Sequence, residues 1–127
     1  RGNISNCSHL SQTILFKSMC DANYDALKQE KFDLLKRRAM KMKEVLKDPK
    51  YADGFEVYPF NSGYFMCIRL RDVNAEQLRL HLLDNYGTGL ISIGEKNIRV
   101  AFSCLEEKDV KTLFDIILNG INDLRKG

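Results

Sequence analysis

Apolar positions along the chain switch between two periods, and the switches mark out most of its elements. Ser8 is placed to cap a short helix running to about Met19, with Leu10, Ile14 and Leu15 on its buried side. From Tyr24 to Lys47 the apolar residues Tyr24, Leu27, Leu34, Leu35, Met42, Val45 and Leu46 recur mostly three, four or seven apart, which predicts a long helix. At 1.5 Å per residue it extends roughly 35 Å, more than one face of a small domain needs, so a helix bridging two bodies is expected. Asp48-Pro49 stops it.

Beyond Pro49 the pattern shortens. Gly54 opens a strand at Phe55-Glu56-Val57-Tyr58, ended by Pro59, and Asn61-Ser62-Gly63 reads as a turn. Tyr64 to Leu70 is the strongest strand signal. Asn74 followed by Gln77 fits a capping box for a helix that buries Ala75, Leu78, Leu82 and Tyr86 and stops at Gly87. Gly89 to Ile93 forms a third strand, Gly94-Glu95-Lys96-Asn97 a tight turn, and Ile98 to Ser103 a fourth strand. Ser103 and Glu106 suggest a second capping box, opening a last helix to about Leu124 with Leu113, Phe114, Ile117, Ile121 and Leu124 on one side. The order β-β-α-β-β-α predicts a two-layer α/β domain, with a mostly antiparallel sheet on one side and helices on the other. The expected organisation is residues 1–23 as an N-terminal segment with a short helix, 24–48 as the long linking helix, and 49–127 as a small domain.

Composition adds bounds. A chain of 127 residues, 44 % hydrophobic, has room for one domain with a core, and its net charge of +3 demands no polyanionic partner. The basic run Lys36-Arg37-Arg38-Ala39-Met40-Lys41-Met42-Lys43 lies in a helix with eight basic and four acidic residues between Tyr24 and Lys47. Mixed charge of that kind reads as a solvated face, so neither nucleic acid nor a membrane surface is expected as a partner. Cys7, Cys20, Cys67 and Cys104 are scattered without a Cys-x-x-Cys pair, and His9 and His81 add little, so no metal site is expected. Reduced thiols fit a cytoplasmic protein. No apolar run approaches a membrane span, no signal peptide is visible, and the first residue is Arg1 rather than Met. No phosphate-binding glycine pattern or hydrolytic triad is present.

The chemistry converges on the fourth strand. Alternation puts Ile98, Val100 and Phe102 on one face and Arg99, Ala101 and Ser103 on the other. An arginine among small residues has room to meet a flat anion, and its rigid fork suits a bidentate grip on a carboxylate. The alternative is an arginine holding a surface acid at the rim of a free-standing small α/β ligand-binding or interaction domain without catalysis.

The segments Asn61 to Ile68, Gly89 to Ile93 and Ile98 to Ser103 together resemble the C-terminal third of fold-type I pyridoxal-phosphate aminotransferases of class I and II, the aspartate aminotransferase-like group. The resemblance covers essentially the whole chain. It implies an aminotransferase acting on an amino acid and a 2-oxo acid, in a parent that is a homodimer. It implies that Arg99 binds the substrate α-carboxylate. A second likeness lies in Arg1-Gly2-Asn3-Ile4-Ser5-Asn6-Cys7-Ser8, which is similar to a family segment of arginine, three residues and Ser-Asn, without the two prolines that follow there. By that likeness Arg1 reaches the neighbouring subunit's site to hold a distal carboxylate, and Ser5 and Asn6 line the interface near the partner's cofactor. The Schiff-base lysine and the groups that hold pyridoxal phosphate are expected upstream of this region, so the 127 residues alone are expected to bind no cofactor and to be inactive. The chain departs from the family between the third and fourth strands, where Gly94-Glu95-Lys96-Asn97 replaces a Pro-Gly and a phenylalanine.

Overall fold

A computed structural model describes residues 8–61 and 63–126. They divide into two units that part between Leu34 and Leu35.

The first unit contains α1 (His9–Met19) and the opening turns of α2 (Tyr24–Val45). Ser8 caps α1 as expected, its side chain accepting from the Ser11 amide. The expected buried side does not form: Leu10, Ile14 and Leu15 are all more than half exposed.

The second unit carries the last turns of α2 and the small domain. Its strands are β1 (Phe55–Val57), β2 (Met66–Leu70), β3 (Ile91–Ile93) and β4 (Asn97–Val100), and its helices are α3 (Ala75–Tyr86) and α4 (Val110–Lys126). The sheet order is β1-β2-β4-β3, with every neighbouring pair antiparallel. The two-layer arrangement is the one the pattern predicts. Phe55, Met66, Ile68, Leu70, Ile98 and Val100 line one face of the sheet, all buried. Against them lie Leu78 and Leu82 of α3, and Phe114, Ile117 and Ile121 of α4. Burial along α2 falls on Ala39 and Met42, in its second half. Tyr51, Phe55 and Phe114 form an aromatic knot with ring centroids 5.8 to 6.0 Å apart.

Local chemistry sets the joints. Asn74 accepts from the amides of Glu76 and Gln77 and so opens α3. Gly87 closes it at φ 60°, a left-handed conformation that a side chain would strain. The expected capping box at Ser103 is absent. Phe102 is drawn into the core, and the chain turns through two short 3₁₀ segments, Phe102–Cys104 and Glu107–Asp109, before α4 begins at Val110. The fourth strand accordingly ends at Val100 rather than Ser103, and β2 begins at Met66 rather than Tyr64.

Candidate functional site

The second face of the sheet is uncovered within the described residues, and its register fixes what surrounds Arg99. Arg99 pairs across the strands with Cys67 on one side and Ile91 on the other. The next row on this face holds Glu56, Arg69, Asn97 and Ile93. Ile91 and Ile93 are nearly half exposed. Tyr58 donates its hydroxyl proton to Asn97 Oδ1 at 3.1 Å, so its side chain crosses β2 between strands β1 and β4.

Arg99 is half-buried and makes no ion pair among the described residues. Its Cζ lies 4.6 Å from the ring centroid of Phe65. Its Nε is shut off from water and has no hydrogen-bond partner. Buried polar atoms are rarely left without a partner, because a lost hydrogen bond there costs about 1–3 kcal/mol. The rim alternative, an arginine holding a surface acid, is not the geometry found at Arg99.

The 3₁₀ segment that follows β4 is anchored from the long helix. Arg38 Nη1 donates to the carbonyl of Ser103, four residues beyond Arg99. The other charges of the basic run also find local partners. Arg37 pairs with Glu107 at 3.1 Å, Lys41 with Glu44 at 3.0 Å, and Lys43 lies over Phe60. His81 lies 3.3 Å from Asp123, which also accepts from Tyr86 at 2.6 Å, a bracket between α3 and α4 away from Arg99.

A cleft of about 240 Å³ is lined by Glu56, Arg69, Leu70, Arg71 and Lys96 and leaves out Arg99. Arg71 is committed there to Glu56 and to the Ala52 carbonyl.

Arg1, Ser5 and Asn6 lie outside the described residues, as does Cys7. Cys20, Cys67 and Cys104 are free thiols. Among the described residues no cluster of histidine, cysteine and acidic groups is built to hold a metal ion, and no helix is long and apolar enough to cross a membrane.

No protein-family model matches the chain, and no curated protein matches it. Solved structures do. An aminotransferase from Anaerococcus prevotii superposes with TM-score 0.71 at 23 % identity, over 96 % of this chain and 29 % of that one. The α-aminoadipate aminotransferase of Thermus thermophilus gives 0.69 at 14 % identity, over 83 % of this chain and 29 % of that one. An aspartate transaminase from Corynebacterium glutamicum gives 0.61 at 18 %, over 76 % and 25 %. The fold is the one that these aminotransferase structures share over the matched part. At these identities the likeness is one of fold, and the chain spans under a third of the length of each of these structures.

The sequence resemblance implies pyridoxal phosphate, and the residues around Arg99 do not build a cradle for it. The neighbours of Arg99 on its face are Cys67, Ile91, Asn97 and Phe65, none of them a lysine that could carry the cofactor. What this surface offers chemically is a cationic fork beside apolar side chains. Phe65 and Tyr58 are contributors that the strand pattern alone did not single out. The signal available for Phe65 was its spacing, two residues before Cys67 and so on the arginine's side.

Proposed function

We propose that this chain is the small domain of a pyridoxal-phosphate-dependent aminotransferase and supplies the grip on the α-carboxylate of an amino acid or 2-oxo acid. The observation that carries this reading is the state of Arg99: a guanidinium without an acidic partner, on the uncovered face of a fold-type I sheet. A guanidinium offers its donors along its edge, in the plane. The Phe65 ring centroid lies 4.6 Å from the guanidinium carbon, and no acid among the described residues takes the guanidinium's donors. A carboxylate meeting the edge accepts two parallel hydrogen bonds, which fixes both its position and its rotation. Holding the carboxylate this way orients the bond at the adjacent carbon for the reaction, and the gain from such alignment is entropic.

The rest of the reading concerns the parent enzyme. Pyridoxal phosphate, its lysine and its phosphate-binding groups belong to other parts of that protein, and the cofactor supplies the electron sink. The parent is proposed as a cytoplasmic homodimer in which Arg1 holds a distal carboxylate in the partner's site and Ser5 and Asn6 lie near the partner's cofactor. The test is kinetic. Arg99→Ala in the enzyme carrying this chain is expected to lower kcat/KM for its amino acid about 100-fold, the effect of truncating one partner of a close charge pair. Unchanged efficiency would refute the assignment.

A further inference from the structure

We infer that Phe65 is a positioning residue that holds the Arg99 guanidinium in the plane needed to capture a carboxylate, an inference that rests on the carboxylate reading of Arg99. Phe65 immediately precedes β2 and is about half exposed, outside the cluster that forms the core. A phenylalanine kept half in water contributes little to burial. Its ring instead lies against Arg99, with 4.6 Å between centroid and Cζ, and is itself met edge-on by Tyr64 at 6.4 Å and 74°.

An aromatic ring and an acid both hold an arginine, but in ways that differ for a ligand. An acid takes the in-plane donors and cancels the charge, so an incoming carboxylate has to displace it. A ring takes the face, leaves those donors free and preserves the charge. A free arginine side chain loses much rotamer freedom on capture, and a stacked one has lost part of it beforehand. The unpartnered Nε belongs to the same arrangement: it is covered, yet committed to nothing.

The experiment follows by NMR, in the 127-residue chain with pyruvate as the probe, the Arg99 Nε–Hε signal for solvent exchange and the backbone amides of Cys67 and Ile91, the residues opposite Arg99 in the sheet, for the pyruvate response in every variant. Phe65→Leu is expected to speed solvent exchange of that proton several-fold and to weaken the pyruvate response about three- to fivefold, the scale of one cation–π contact. Phe65→Met, a second apolar side chain without a ring, is expected to do the same, and Phe65→Tyr to restore both properties. If Phe65→Leu and Phe65→Met leave the pyruvate response as it was while Arg99→Ala abolishes it, Phe65 merely packs and the inference fails alone. If Arg99→Ala leaves the pyruvate response of the chain unchanged, the carboxylate reading falls and takes this inference with it.

Discussion

Gly120 sits inside α4, where replacing glycine by alanine ordinarily stabilises a helix by about 1 kcal/mol. Here the opposite is expected. A Cβ at position 120 falls 2.6 Å from Leu82 Cδ2, 3.2 Å from Leu78 Cδ1 and 3.3 Å from Leu82 Cγ. Carbon atoms prefer about 3.5–4.0 Å, so the first contact is too close by about 1 Å. Leu78 and Leu82 are both fully buried and cannot swing into solvent. Forcing an extra carbon into such a core costs about 1–3 kcal/mol. Set against the helix gain, Gly120→Ala should destabilise the chain by about 1 kcal/mol, a fall in Tm on the order of 5 °C. The control is the same substitution made with Leu82→Ala. That change alone costs about 2–5 kcal/mol but removes the two Leu82 atoms and leaves only Leu78 Cδ1 at 3.2 Å, so Gly120→Ala should then lose most of its cost and be neutral or stabilising by up to about 1 kcal/mol. Urea melts of the four proteins give the coupling directly. A stabilising Gly120→Ala in the wild-type background would refute the close approach of α3 and α4.

Asp115→Ala should cost about 1–3 kcal/mol in a urea melt, because it leaves the buried Tyr51 hydroxyl, now donating to Asp115 at 2.7 Å, without an acceptor; adding Tyr51→Phe should recover most of that loss. Hydrogen bonds from Lys111, Lys50 and Tyr51 hold the Asp115 carboxyl well below the usual carboxylate range. Its contribution is therefore complete above the unfolded value of about 3.9 and is lost as pH falls toward the lower folded value. The stability gap between wild type and Asp115→Asn should be flat from neutral pH down to about pH 5 and close below it; a gap that widens on acidification would refute the network.

What could be read from the sequence was whatever depends on neighbours in the chain. Met66, Ile68 and Leu70, like Ile98 and Val100, alternate because each strand buries one face, and that alternation needs no knowledge of a partner. Asn74 and Gly87 mark the ends of α3 through bonds to residues within a few positions. The misses required knowledge of distant contacts. The spacing of Leu10, Ile14 and Leu15 says which side of α1 is apolar, not whether anything covers it. Ser103 and Glu106 have capping-box spacing, but burial of Phe102 pulls the backbone into 3₁₀ turns first. At the site, Arg99 stood out by its chain neighbours. The ring of Phe65 over it depends on the register of β2 against β4, which no local signal specifies. The Asp115 network was not singled out from the sequence: Lys111 reaches the carboxylate from one helical turn away, and Lys50 and Tyr51 reach it from across the fold.

The central claim is that Arg99 is a receptor for a carboxylate. Titration of the 127-residue chain with pyruvate, and in parallel with pyruvamide, while following the Nε–Hε signals of Arg99 and of the exposed Arg69, tests it most directly. One bidentate ion pair in an open site is worth about 2.7 kcal/mol, or a Kd on the order of 10 mM. The account predicts a saturating shift at Arg99 with pyruvate, none with pyruvamide, and no saturation at Arg69. Equal, unsaturating shifts at both arginines, or the same response to pyruvamide, would contradict it.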